Sequence, residues 1–115
     1  MLMVVPLLTM LVASDRVPTA SSEDEIAFGI EVARKGLWNE ARFRFERAVA
    51  LAPESAEALN DLAVALEQQG EFARARDAFE KALKLAPGGL YIQQNYDLFR
   101  EADDKRNRKK TKKTP

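Results

Sequence analysis

Residues 22–55, SEDEIAFGIEVARKGLWNEARFRFERAVALAPES, lie without a gap over residues 56–89, AEALNDLAVALEQQGEFARARDAFEKALKLAPGG. The 34-residue shift makes ten pairs identical: Glu23/Glu57, Gly36/Gly70, Ala41/Ala75, Arg42/Arg76, Phe45/Phe79, Glu46/Glu80, Ala48/Ala82, Leu51/Leu85, Ala52/Ala86 and Pro53/Pro87. Similar residues fill other places, among them Phe28/Leu62, Gly29/Ala63, Val32/Leu66 and Trp38/Phe72. Gly36 and Gly70 fall where a first helix must stop in a left-handed residue. Pro53 and Pro87 end a second helix, because proline has no amide hydrogen to give and its ring clashes with the preceding turn. Each copy therefore reads as two antiparallel helices, about 23–35 and 39–51, then 56–69 and 73–85.

Downstream of the repeats, residues 90–104 place Ile92, Tyr96 and Phe99 on one stripe, which predicts one more amphipathic helix without a partner. The fold class is all-α, with antiparallel helix-turn-helix repeats and five helices. Residues 105–115, KRNRKKTKKTP, hold seven of the 18 basic residues and no acid, so this tail is expected to be disordered. Upstream, Ser22 and Glu25 have capping-box spacing, with Glu23 and Asp24 suited to a helix N-terminus, so the folded body is expected to span 22–104. Residues 15–21 are polar, contain Pro18 and read as a linker. Residues 1–13, MLMVVPLLTMLVA, carry no charge, are too short for the roughly 20 residues of a spanning helix and suit the core of a signal peptide. With Ala13 and Ser14 as small residues at its end, cleavage is expected near residue 14. The chain would then be exported, to a periplasmic, secreted or envelope-associated place, and otherwise cytoplasmic. No Lys or Arg precedes the run, although a basic stretch is part of the signal pattern.

The chain has no cysteine and no histidine, which removes thiol chemistry, imidazole ligands and every nucleophile activated by histidine. Its 18 basic and 18 acidic residues cancel, but the seven basic residues of the tail leave a body of 11 basic and 18 acidic residues. The acidic runs Glu23-Asp24-Glu25 and Asp103-Asp104 read as helix caps and solvated faces, having no convergent second ligand. No catalytic, cofactor-binding or metal-ligating residue is assigned, no small-molecule substrate is expected, and the chain is not expected to be an enzyme.

The doubled pattern resembles the tetratricopeptide repeat in period, helix-turn-helix form and signature spacing over residues 22–89. The resemblance rests on Phe28-Gly29, Val32, Ala41, Phe45, Ala48 and Pro53, and again on Leu62-Ala63, Leu66, Ala75, Phe79, Ala82 and Pro87. Where the family pattern opens with tryptophan, this chain has Glu25 and Leu59. Small residues at the repeated positions let helices approach closely, and Phe28, Val32, Trp38, Phe45, Leu62, Leu66, Phe72 and Phe79 are expected to form the core, closed by Tyr96 and Phe99. Two repeats are fewer than the three usually needed, so the final helix is expected to be required and self-association is open.

The resemblance implies a protein-interaction module whose first helices line a concave surface for a protein or peptide partner. Counting along the repeat gives Glu23, Ile26, Ala27, Ile30 and Arg34, then Glu57, Asn60, Asp61, Val64 and Gln68, then Tyr91, Gln94, Asn95 and Leu98. Within that surface the candidate partner-binding residues are Ile26, Ile30, Val64 and Leu98 as apolar anchors and Asn60, Gln94 and Asn95 as hydrogen-bonding groups. The bland alternative is that the aliphatic side chains fill the gap between stacked helices and the amides are solvated. Some relatives grip a C-terminal carboxylate with Lys, Asn and Arg on this surface, but the corresponding first-repeat positions here are Ile26 and Ile30. A second function class is a tether to nucleic acid or anionic lipid through the basic tail, whose binding would fall steeply with salt.

Overall fold

The computed structural model describes residues 20–113. Five helices follow in order: α1 Ser22–Arg34, α2 Trp38–Leu51, α3 Ala56–Gln68, α4 Phe72–Leu85 and α5 Leu90–Lys112. Helices α1 and α2 form one antiparallel hairpin, α3 and α4 the second, and α5 packs on α3 and α4. The expected signal segment and all but the last two residues of the linker lie outside the described residues.

The joints follow from local chemistry. Gly36 and Gly70 have φ of 77° and 78°, in the left-handed region where a Cβ is strained. At the first joint the Gly36 amide donates to the Ala33 carbonyl at 2.9 Å and the Leu37 amide to the Val32 carbonyl at 3.0 Å, closing a Schellman turn. Gly70 and Glu71 repeat it on Glu67 and Leu66. The N-terminal cap differs from expectation by one residue. Ser21, not Ser22, accepts the Asp24 amide, and the Asp24 carboxylate accepts the Ser21 amide, each at 3.1 Å. Ser22 and Glu25 are committed to packing instead: the Ser22 hydroxyl donates to the Ala48 carbonyl at 3.1 Å, and Glu25 sits beneath two arginines.

The main core holds Phe45, Leu62, Ala63, Leu66, Ala75, Phe79 and Phe99 closed from solvent, with smaller clusters around Ile26 and around Leu59 and Ile92. Phe79 and Phe99 are fully buried with ring centroids 5.4 Å apart, and Tyr96 completes a cluster of three rings. Tilted and stacked ring contacts of this kind add to area burial. Phe28, expected in this core, is 47% exposed, with the Arg44 guanidinium 4.2 Å from its ring centroid. No helix precedes α1 in the described structure to cover it, and the cation takes that place. Trp38 and Phe72 are half-buried at the core's edge.

The basic tail is the larger correction. Residues 105–112, expected to be disordered, continue α5 for two further turns. Asp103 is the hinge of this extension, paired with Arg76 at 2.7 Å and with Arg106 at 3.2 Å. The Arg106 guanidinium lies 3.5 Å from the Phe72 ring centroid, so a cation stacked on a ring ties down a segment whose composition offered no apolar contact. Lys109, Lys110 and Lys112 in the last turn also suit the negative end of the helix dipole.

Candidate functional site

The first-type helices α1, α3 and α5 stand side by side, α3 touching both neighbours. Two clefts open along their seam. One, of about 230 Å³, is lined by Ile30, Ala33 and Arg34 of α1, Trp38 and Phe45 of α2, Asp61 and Val64 of α3 and Tyr91 of α5. The other, of about 440 Å³, continues through Ile30, Glu57, Asn60 and Asp61 to Gly89, Leu90, Tyr91 and Ile92. Ile30, Asp61 and Tyr91 belong to both, so the two form one groove with a shared centre.

Helical spacing explains the convergence. Glu57, Asn60, Asp61 and Val64 follow the i, i+3, i+4, i+7 pattern of a single face on α3. Tyr91 and Asn95 are one turn apart on α5, and Ile30 and Arg34 one turn apart on α1. Ile30, Asn60 and Val64 thus come together as the spacing predicts. The remaining candidates are distributed otherwise. Ile26 is buried against Ala48 and Ala58, so packing takes it up. Asn60 is only 1% exposed and its amide is spent internally: its oxygen accepts from Asn95 at 3.1 Å and its nitrogen donates to Asp61 Oδ1 at 3.3 Å. Asn95 is half-buried behind that bond, whereas Gln94 and Leu98 are exposed and line neither cleft.

The groove's polar character comes from Asp61. One carboxylate oxygen accepts the Asn60 bond, and the other, Oδ2, is closed off by its neighbours and has no hydrogen-bond partner. Burial pushes the carboxyl up to about 6; the nearby charge of Glu57 adds to this and the Asn60 bond opposes it. Trp38 and Phe45 are lining residues that sequence reasoning had assigned wholly to the core. Phe45 lines the groove while staying 3% exposed in the core; the half-exposure of Trp38 depends on how far α1 stands from α3, and no spacing in the sequence encodes that distance.

The acidic runs are engaged with arginines. Glu25, 2% exposed, accepts from Arg47 at 2.9 Å and from Arg44 at 3.4 Å, and Asp103 is held by Arg76 and Arg106. Among the described residues no three His, Cys, Asp or Glu side chains are grouped to hold a metal ion, and no helix is long and apolar enough to cross a membrane. No curated protein matches the chain. The family model for the tetratricopeptide repeat matches residues 26–89, more than half of the chain and both helical hairpins. Repeats of this kind typically mediate protein–protein contacts without catalysing a reaction. Period, paired glycine joints, small-residue helix contacts and the family match agree, and the chain belongs to the tetratricopeptide-repeat family.

Proposed function

We propose that the chain is a non-catalytic interaction module that seats a peptide or an extended segment of a protein in the groove between α1, α3 and α5. The supporting observation is the pair of joined clefts, in which apolar Ile30, Val64, Trp38 and Tyr91 from four helices surround one polar centre. A mostly apolar concavity with few polar groups is the usual form of a binding site. An exported chain, the expectation from its N-terminal run, would meet such a partner in a periplasmic, secreted or envelope-associated place.

The test starts with a partner recovered by pull-down with the full chain from its native source. Calorimetric titration then compares the parent with Val64→Asn and Tyr91→Ala, each checked for a cooperative melt. Loss of a central anchor is expected to weaken binding about thirtyfold, or about 2 kcal/mol. Asp77→Asn, on the exposed face of α4, is expected to change little. The second reading, a tether through the basic end of α5, is supported by the exposed run Arg108, Lys109, Lys110 and Lys112 on that helix. If removal of residues 105–115 abolishes binding while the groove variants bind as the parent does, the groove reading fails and the tether stands.

A further inference from the structure

Asp61 stands where a ligand would press, yet nothing in the fold completes its hydrogen bonding. Native proteins pair nearly all buried polar groups, and each exception calls for a reason. Oδ2 is enclosed and unpartnered, in a residue that lines both clefts. The neighbours make the missing partner's chemistry specific. On α3 itself Glu57 adds a second negative charge and Asn60 already donates to Oδ1. Val64 lies one turn along α3, and across the groove stand Tyr91 of α5, Ile30 and Ala33 of α1 and the indole of Trp38 on α2. The cation near this centre is Arg34, which is exposed at the end of α1 and makes no bond to Asp61.

We propose that the groove selects a peptide carrying an arginine between apolar residues, with the guanidinium paired to Asp61 and its plane lying against Trp38 and Tyr91. The proposal rests on the groove being the binding surface. It deepens that reading by reversing the polarity of the carboxylate-gripping relatives: here the protein supplies the acid and the ligand the base. Arginine suits the place better than lysine, because its planar fork donates in parallel to a carboxylate and stacks on aromatic faces. Rotating the Asp61 carboxylate out of its enclosed position, toward the clefts that the residue lines, presents it to the fork without backbone movement. The charge also suits the ligand: outside the basic end of α5, the body has more acidic than basic residues.

The experiment uses the full chain, immobilised, and three pools of acetylated, fluorescein-labelled heptapeptides. Their central residue is Arg, Gln or Glu, and the flanking positions are drawn from Leu, Val, Ala and Ser. At neutral pH the parent is expected to retain the Arg pool about tenfold better than the Gln pool, and the Glu pool least. Asp61→Asn is expected to bring Arg and Gln within about twofold, while Asp77→Asn, whose carboxylate pairs with Lys81 on the far side, preserves the preference. Acidification through about 6 is expected to erode the Arg preference of the parent, because that is where the Asp61 carboxyl takes up its proton.

Equal retention of the pools, retention of none, or a preference that survives Asp61→Asn would each overturn the assignment. The groove itself is read separately with Tyr91→Ala, an exposed residue whose loss spares the core. If that variant loses all pools alike and the parent shows no charge preference, the groove stands and the arginine assignment falls. If Tyr91→Ala binds every pool as the parent does, the groove reading fails and takes the proposal with it. A second copy of the chain, entering through its basic α5, would appear as a dimer in sedimentation that Asp61→Asn dissociates, and would overturn the peptide assignment.

Discussion

At the scale of single residues, Asp61 works against the fold that holds it. Its carboxyl is raised from 3.8 to about 6 chiefly by burial, so the folded state disfavours the charged form. Well below 3.8 the group is protonated in both folded and unfolded chains and imposes no penalty. As pH rises through 3.8 the unfolded chain gives up its proton first, and the penalty is complete only well above 6, once the folded group has ionised too. Two units correspond to at most about 3 kcal/mol. Asp61→Asn is therefore expected to stabilise the chain by about 2 kcal/mol at pH 7.5 and by almost nothing at about pH 3, read from urea melts at the two values. A gain of the same size at both would show that the carboxylate charge is not the source. Asp61 appeared in the sequence as one polar position among several on a counted face. That its oxygen would be enclosed and unpartnered depends on where α5 and Trp38 come to rest, which no local pattern carries. Asn60 was misjudged for the same reason: a helical count gave its direction, but Asn95, 35 residues on, decides whether its amide is free.

At the scale of elements, helix boundaries were legible where they depend on chemistry within five residues, and illegible where they depend on a distant side chain. The two glycine joints and the two proline stops fell in place, whereas the cap slipped from Ser22 to Ser21 because Ala48 claims the Ser22 hydroxyl. The end of α5 lies about eight residues beyond the expected one because a count of charge does not register the Arg106 guanidinium stacked on Phe72. The α1–α2 contact offers a test in which two effects compete. Alanine in place of Gly29 would favour helix α1 by about 1 kcal/mol through backbone entropy. Its Cβ, however, would fall 2.8 Å from Phe45 Cδ1, and the nearby Cζ is only 3.0 Å away. Phe45 is 3% exposed and packed in the core, so it has no open space to retreat into. Overpacking of a closed core costs about 1 to 3 kcal/mol, which exceeds the propensity gain. Gly29→Ala is expected to lower the thermal midpoint, and a raised midpoint would mean the two helices can separate freely.

For the whole molecule, two hairpins present fewer interfaces than a repeat array ordinarily needs, and α5 supplies the missing one. It does so unevenly along its length. Its first half carries Ile92, Tyr96 and Phe99 into the core, where Phe99 is fully buried against Phe79. Its second half is held by Arg106 on Phe72 and by the Asp103 pairs with Arg76 and Arg106. Losing a buried phenylalanine alone costs about 3 to 5 kcal/mol, against a total of about 5 to 15 kcal/mol for a small domain. A cation over a ring contributes about 1 kcal/mol at a partly exposed site. A chain ending at residue 104 keeps Phe99 and the Arg76–Asp103 pair, and is expected to melt cooperatively with a loss of about 1 kcal/mol. A chain ending at residue 89 uncovers one side of Phe79 and is expected to lose the cooperative transition by circular dichroism. Phe99→Ala in the full chain separates burial from length, since it removes the ring while leaving α5 attached, and is expected to fall between the two truncations. Should the chain ending at 89 melt as sharply as the parent, the two hairpins would be sufficient by themselves and α5 would serve the groove alone.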